Sequence, residues 1–298
     1  MILYDLKKGC EIKKIEHPLS LALGCFDGLH LGHAELIDTA RRAGAYSGIF
    51  TFSSNPFGAL HIMTLSDKLA RLREMGVDYC AVCDFDEIRD MSAEDFVSEI
   101  LIERLNVVHA VCGFNFRFGV KAHGDAVFLS DMMKASGRDC TIIDARTHGS
   151  QVISSSRIRN LLSNGEMEKA AELLGRNYSL IYNVSHGNGI GNILGFPTIN
   201  TDYKKDMQPI AQGVYICRCL GRPAVTNFGV RPTVTVEDKK VYETFILDFE
   251  GDLYGENVQV EFLSMLRSEK KFESAEALCE QIARDVEATR NYFEINSL

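Results

Sequence analysis

The sequence predicts an α/β protein: an N-terminal doubly wound parallel sheet, followed by a small antiparallel β-barrel with a terminal helix. Up to about residue 145, apolar strands alternate with helical patterns, which is typical of a parallel sheet covered on both faces. From about residue 180, short alternating strands follow one another with turns between them, which indicates a barrel. The expected domains are 1–178 and 179–298.

The individual elements follow from the spacing of apolar residues. In the first half, strands are predicted near 20–24, 48–52, 79–83, 108–112 and 140–143, and helices near 33–44, 66–75 and 92–105. The last of these helices has a suitable N-cap in Ser92. Its apolar stripe consists of Phe96, Val97, Ile100, Leu101 and Leu105. In the second half, strands are predicted near 180–185, 213–220, 223–229, 241–249 and 257–262, before a final helix with an apolar stripe from Ala275 to Phe293.

Composition restricts the class of protein. The chain has 298 residues and a net charge of −9, which argues against a general nucleic-acid binder. No apolar run reaches the ~18–20 residues of a membrane span, and no signal peptide is evident. The odd count of nine cysteines fits reduced thiols in the cytoplasm. Cys80 and Cys83, three apart on a strand, should point to opposite faces as core residues. A monomer or weak homo-oligomer is expected.

The segment from Gly24 to His33 lies between a strand end and a helical pattern. Such a glycine-rich turn at a helix N-terminus forms an anion site, because free N–H groups and the helix dipole point at the ligand. His30 and His33 fall in the same segment. A metal site is disfavoured, since no further ligand stands at suitable spacing. A plain strand-to-helix turn would explain Gly24 and Gly28, but not the two imidazoles. Phosphate chemistry is the prediction.

Two later segments add polar groups. Asn115 and Arg117 alternate with three phenylalanines after the fourth strand, which in an extended segment places the two polar side chains on the face opposite the rings. At least one phenylalanine is expected to pack in the core. Ser154, Ser155 and Ser156 precede Arg159 at the start of a helix. One serine would serve as a cap, but three hydroxyls and a guanidinium suit a triphosphate.

In the second half, the chemistry centres on 186–200 and on Glu243. The glycines of 186–195 match neither a dinucleotide fingerprint nor a Walker P-loop. Thr198 and Asn200 lie on one side of an extended segment and offer two oxygens to one Mg²⁺. Glu243 shares its strand face with apolar residues. It is either an edge carboxylate paired with a cation or a general base.

These motifs together resemble those of one family. The stretch 24–33 is similar to the G-x-F-D-G-x-H-x-G-H signature of nucleotidyltransferases, and above all to that of the bifunctional bacterial riboflavin kinase/FMN adenylyltransferases. The segment Ser154-Ser155-Ser156-Arg157-Ile158-Arg159 resembles the family's S-S-T/S-x-I-R motif, which clamps ATP. The segment ending in Pro197-Thr198-Ile199-Asn200 resembles the riboflavin kinase P-T-x-N pattern, and the Glu243 context resembles that of the family's base.

The resemblance implies a nucleotidyltransferase-type sheet and FMN adenylyltransferase activity for 1–178, and riboflavin kinase activity for 179–298. It also implies a role for each matching position. His30, His33, Asn115 and Arg159 would act in adenylyl transfer and Glu243 in riboflavin phosphorylation. The other positions implied in nucleotide or flavin binding are Gly24, Phe26, Asp27, Gly32, Arg117, Ser155, Ser156, Gly187, Gly195, Pro197, Asn227 and Arg267. Thr198 and Asn200 would hold Mg²⁺, and the substrates would be ATP, riboflavin and FMN.

Three positions depart from the family pattern. Asn192 stands where arginine is common, Phe245 where histidine usually follows E-T, and Asn55 where histidine is common. The first two concern the kinase. The sequence therefore leaves two alternatives beside the bifunctional enzyme: an FMN adenylyltransferase with a degenerate kinase domain, and a non-catalytic flavin sensor.

Overall fold

The computed structural model describes residues 1–6, 14–56, 58–185, 195–231 and 239–296. The chain divides into two compact units, Met1–Ser155 and Ser156–Leu298. The expected boundary at 178/179 lies beyond two helices that this division assigns to the second unit, and it stays a prediction.

The first unit is built from a parallel sheet and its helices. Its strands are β1 (Ile2–Asp5), β2 (Leu19–Leu23), β3 (Tyr46–Phe52), β4 (Tyr79–Cys83), β5 (Val107–Gly113), β6 (Arg117–Phe118), β7 (Gly124–Asp125), β8 (Asp139–Ile143), β9 (Thr147–His148) and β10 (Gln151–Val152). Its helices are α1 (Leu31–Arg42), α2 (Leu65–Glu74), α3 (Phe85–Ile88), α4 (Ala93–Asp95) and α5 (Ala126–Ala135). The predicted strands and helices of this half are all found. The elements that were not predicted are β1, α3, α5 and the two-residue strands β6, β7, β9 and β10.

The main sheet runs in the order β1-β4-β3-β2-β5-β8, with every neighbouring pair parallel. The doubly wound parallel sheet is therefore confirmed. The chain moves outward from β2 through β3 to β4, then returns to place β5 on the other side of β2. Ligands bind parallel sheets beyond the carboxyl ends of the strands at such a reversal. The segments that follow β2 and β5 lie at this point.

Each face of this sheet carries its own hydrophobic core. Leu21 and Leu23 belong to one cluster and Ala22 to the other, as alternation along a buried strand requires. Cys80 and Cys83 are likewise divided between the two clusters, and both are free buried thiols. Burial raises the pKa of each thiol to about 12. Both are core residues.

The predicted helix at 92–105 has the expected cap but a different helical geometry. Ser92 Oγ accepts a hydrogen bond from the Asp95 N–H at 3.0 Å. After α4 the helix continues over Phe96–Arg104 as a π-helix, and the Leu105 N–H donates to the Ile100 carbonyl, five residues back. The predicted stripe is buried nonetheless.

In the second unit, the described residues form a curled antiparallel sheet and three helices. Its described strands are β11 (Tyr178–Asn183), β12 (Thr198–Asp202), β13 (Gly213–Cys219), β14 (Arg222–Arg231), β15 (Lys239–Ile246) and β16 (Asn257–Ser268). Its described helices are α6 (Ser155–Ser163), which begins on the last residue of the first unit, α7 (Met167–Leu174) and α8 (Ala275–Ile295). The order is β11-β16-β13-β14-β15-β12, and a bridge between Ser185 and Asn200 joins the two edges. The predicted antiparallel barrel with a terminal helix is confirmed.

The barrel interior is aromatic. Tyr242 is fully buried and stacks on Phe228 with ring centroids 4.3 Å apart. Tyr182, Tyr215 and Phe262 complete this cluster.

Since even-numbered residues of β15 point inward, its odd-numbered residues, Glu243 among them, point to the outer face. The predicted apolar stripe of the last helix is only half-buried in α8, while the polar Asp285 and Thr289 are buried.

Candidate active sites

The loop after β2 has a strained backbone. Gly28 adopts a φ of 84°, and two non-glycine residues, Phe26 and Leu29, also lie in the left-handed region at 50° and 44°. Such conformations cost of order 1–3 kcal/mol each for ordinary residues and persist only where surrounding contacts enforce them. A Cβ on Gly32 would lie 3.3 Å from the His30 ring, so this position has little room for a larger residue.

The two predicted histidines lie together at the start of α1. The rings of His30 and His33 stack with centroids 3.6 Å apart and planes 13° from parallel. His30 is the N-cap of α1, and its Nδ1 accepts a hydrogen bond from the His33 N–H at 3.2 Å. In a neutral His30 the proton is then on Nε2, which can donate to an anion. The Phe26 ring lies 5.2 Å from that of His33.

Asp27 and Ser155 hold this loop rather than project from it. The Asp27 carboxylate is buried and accepts a hydrogen bond from the Ile62 N–H at 2.9 Å. Ser155 Oγ donates to the Asp27 carbonyl at 2.9 Å. The structure thus brings together five of the predicted residues of the loop, namely Phe26, Asp27, Gly32, His30 and His33, with Ser155.

The segment after β5 differs from the extended strand that the alternation suggested. Residues 113–116 form a turn, closed by a hydrogen bond from the Phe116 N–H to the Gly113 carbonyl at 3.0 Å. Asn115 is exposed in this turn, and Arg117 forms a half-exposed ion pair with Asp125 at 3.1 Å. Phe118 is the core phenylalanine, whereas Phe114 is half exposed.

Ser156 and Arg159 belong to the second unit, on α6. Ser156 is exposed and Arg159 half-buried. Their expected role toward a triphosphate stays a prediction.

Gly24, at the start of the loop after β2, donates its N–H to the Phe50 carbonyl, and a Cβ on it would approach the Phe26 ring at 3.3 Å.

In the second unit, the sheet register places three polar side chains in one row. Glu243 on β15 is the direct partner of Asn200 on β12 and of Asn227 on β14. Direct partners share a face, so the carboxylate lies between two amides. Glu243 is half-buried and Asn200 buried. A further carboxylate, that of Glu269, occupies the space where a Cβ of Gly229 would be, on the same face.

The predicted metal ligands lie side by side on β12. The Asn200 amide nitrogen donates to the Thr198 carbonyl at 3.4 Å, and both side chains lie on one side of the strand. Their oxygens are of the hard type that Mg²⁺ prefers. Gly195, with a φ of 83°, and Pro197 are exposed just before them. Gly187 and Asn192 lie outside the described residues.

Arg267 is held by the terminal helix. Its Nε lies 3.1 Å from both carboxylate oxygens of Asp285, and one terminal guanidinium nitrogen lies 2.7 Å from Oδ2. The Asp285 side chain is 7% exposed and that of Arg267 22%. Val214 on β13 is the direct partner of both Asn227 on β14 and Arg267 on β16. Arg267 therefore lies at the far end of the row of paired residues that contains Asn200, Glu243 and Asn227.

Sequence reasoning missed Lys68 on α2. This lysine is buried, and its Nζ donates to the Cys25 carbonyl at 2.8 Å and to Thr51 Oγ1 at 3.1 Å. A signal was present: Lys68 stands three residues after Leu65 and four before Leu72, on the stripe that faces the core.

Phe245, which departs from the family pattern, packs among apolar side chains. Its ring meets that of Phe196 edge-on with centroids 5.6 Å apart, and it borders the cluster of Val214, Val225 and Leu247.

Across the described ranges, no group of three or more His, Cys, Asp or Glu side chains could hold a metal ion. Nor does any described helix have the length and apolarity needed to cross a bilayer.

Comparison with known proteins finds one family in each half of the chain. The family described as FAD synthetase matches residues 12–157, and riboflavin kinase matches residues 174–293. A bifunctional riboflavin kinase/FMN adenylyltransferase of Listeria monocytogenes is 33% identical over 292 residues, with 92% of each chain covered. The chain belongs to this bifunctional family. The bifunctional riboflavin kinase/FMN adenylyltransferase of Bacillus subtilis is 32% identical over 301 residues, with 95% of each chain covered.

One solved structure shares the fold over nearly the full length of the chain. A crystal structure titled macrolide-efflux protein, from Streptococcus pneumoniae, has a TM-score of 0.86 and 28% identity. It covers 98% of this chain, and this chain covers 99% of it. Since both family matches are present, this chain is a transferase of FAD biosynthesis that uses ATP and flavin substrates.

Proposed function

We propose that the two units carry out consecutive steps at separate sites. The barrel site transfers the terminal phosphoryl group of ATP to riboflavin and gives FMN and ADP. The site after β2 joins AMP from a second ATP to FMN and gives FAD and pyrophosphate. The observation that carries this proposal is the presence of two separate constellations, His30 with His33 in one unit and Glu243 between two asparagines in the other.

At the barrel site, Glu243 accepts the proton of the ribityl hydroxyl as that oxygen bonds to phosphorus. Its neighbours Asn200 and Asn227 orient the carboxylate and the substrate hydroxyls. Thr198 and Asn200 are the residues that would hold Mg²⁺, which supplies positive charge to the ATP phosphates when bound. Arg267, fixed by Asp285, stands at the other end of the row.

At the first site, no covalent intermediate is needed, because the FMN phosphate is itself the nucleophile. Catalysis is then positioning and charge neutralisation. His30 donates from Nε2 to the phosphates, with His33 stacked beside it. Asn115 and Arg117, in the same unit, contribute further contacts to nucleotide or flavin in this proposal.

We also propose a cytoplasmic protein, a monomer or weak homo-oligomer, that binds neither nucleic acid nor membrane. The net charge of −9 and the free cysteines among the described residues support this.

Incubating the protein with riboflavin, Mg²⁺ and ATP, and separating the flavins by chromatography, tests the proposal. FMN and FAD together are the expected products. FAD formed only when FMN is supplied would show that the kinase domain is degenerate. No product at all would indicate a flavin sensor and contradict the proposal.

A further inference from the structure

Lys68 is a buried cation that the two proposed reaction sites do not use directly. It is 5% exposed, and its ammonium lies behind the loop of residues 24–33, on the side of α2. Placing a charge in a protein interior is costly unless it is paired or hydrogen-bonded. A lysine in this position therefore needs a compensating role, whereas an apolar residue of similar length would fill the space at lower cost.

The partners of Lys68 converge on one peptide group. Its Nζ donates to the Cys25 carbonyl at 2.8 Å, and the Thr51 hydroxyl donates to the same carbonyl at 2.8 Å. Lys68 also lies 3.1 Å from Thr51 Oγ1. Asp27 adds a favourable charge interaction, although burial still lowers the pKa of the lysine. Two donors from two different elements thus fix one carbonyl of the loop.

The carbonyl in question precedes the strained part of the loop. Phe26, Gly28 and Leu29 adopt positive φ angles directly after it. The peptide bond between Cys25 and Phe26 is trans, so the Phe26 N–H points away from the Lys68 ammonium. A charged donor on the carbonyl also polarises the peptide and makes its N–H a stronger donor.

We propose that Lys68 is a positioning residue for adenylyl transfer. By holding the Cys25 carbonyl, it directs the Phe26 N–H toward phosphates bound at the loop, and it keeps the His30 side chain in its position at the start of α1. This inference rests on the proposed function of the first site. It concerns no contact between Lys68 and substrate.

The test compares Lys68→Met with the wild type and with Arg71→Met, which removes an exposed cation from the same helix. Steady-state kinetics of FMN adenylylation and of riboflavin phosphorylation are measured on the same preparations. We expect Lys68→Met to lower the kcat of adenylylation about 10- to 100-fold, because small misplacements of reacting groups have effects of this size. The KM for ATP should change less, and kinase activity and Arg71→Met should stay near wild type.

A second variant separates positioning from general stability. Thr51→Val removes the other donor to the same carbonyl, so its effect on kcat should be non-additive with that of Lys68→Met. If Lys68→Met does not fold, Thr51→Val alone decides, and an unchanged adenylylation kcat in it overturns the proposal. Equal losses of both activities in Lys68→Met, or adenylylation within twofold of wild type, also overturn it.

Hydrogen exchange gives a readout that does not depend on activity. Peptides covering residues 24–33 should exchange faster in Lys68→Met, with barrel peptides unchanged. Unchanged exchange in the loop would contradict the proposal. If the wild type forms no FAD from FMN and ATP, the proposed function fails, and the exchange experiment still decides whether Lys68 holds the loop.

Discussion

The imidazole of His30 stacks on that of His33 at 3.6 Å, and its Nδ1 accepts the hydrogen bond that caps α1. One side chain therefore serves the helix and, in the proposed reaction, the phosphates. A test of its chemical role has to preserve the cap, since losing an N-cap by itself costs about 1 kcal/mol.

We expect His30→Ala and His30→Asn to lower FMN adenylylation by a similar factor, about 10²–10³, the effect of losing one oriented donor. Asparagine is a good N-cap, so it retains the structural role without the imidazole. Riboflavin phosphorylation should persist in both variants. Chromatographic assay of both reactions checks this, and near-normal adenylylation in the asparagine variant would show that His30 is only a cap.

Glu243→Gln should have the opposite effect. The amide keeps the size of the side chain but cannot accept a proton, so riboflavin phosphorylation should fall about 10²–10⁴-fold while adenylylation of added FMN continues. Glu261→Gln, on strand β16 of the same sheet, is a matched control that should leave both rates unchanged. If Glu243→Gln or His30→Ala abolished both activities in folded protein, the assignment of two sites would be wrong.

Asp285→Asn should destabilise the barrel and weaken the kinase. It removes a buried carboxylate that Arg267 contacts through two guanidinium nitrogens, and breaking such a pair costs about 3–5 kcal/mol. Asp248→Asn is a suitable comparison, because Asp248 also binds an arginine, Arg290, through both oxygens but on the surface. Urea unfolding should show a much smaller loss of unfolding free energy for Asp248→Asn than for Asp285→Asn. Equal losses in the two variants would mean that the burial of Asp285 adds nothing to the stability of the barrel.

His109 should make stability depend on pH. Burial lowers its pKa from 6.5, against a smaller opposite effect of Asp139, and its ring lies 2.8 Å from the hydroxyls of Ser20 and Thr141. Between the folded pKa and 6.5, the unfolded chain binds more protons than the folded one. The free energy of unfolding therefore falls as the pH drops below about 6.5.

Urea unfolding between pH 5 and 8 measures this slope. His109→Gln should flatten it, whereas His148→Gln, at an exposed position, should leave it as in the wild type. A slope unchanged by His109→Gln would assign the pH dependence to other groups.

Much of the fold follows from local patterns. The strand at Tyr79–Cys83 and the N-cap at Ser92 were predicted where the structure has them. Both depend on residues close together in the sequence, because the spacing of apolar residues defines a buried strand and a single side chain caps a helix. The turn at 113–116 was not, since alternating phenylalanines mimic an extended strand, and the hydrogen bond that closes the turn leaves no pattern in the sequence.

The sequence by itself determined the family, the order of the motifs and the chemistry that each can offer, because residue type and spacing record those directly. Tertiary structure alone decided which groups meet: Glu243 between Asn200 and Asn227, Arg267 against Asp285, and Lys68 behind Cys25. Each of these contacts joins residues at least 16 positions apart or on different elements. They depend on sheet register and helix packing, which minimise the free energy of the whole domain and are not encoded in any short segment.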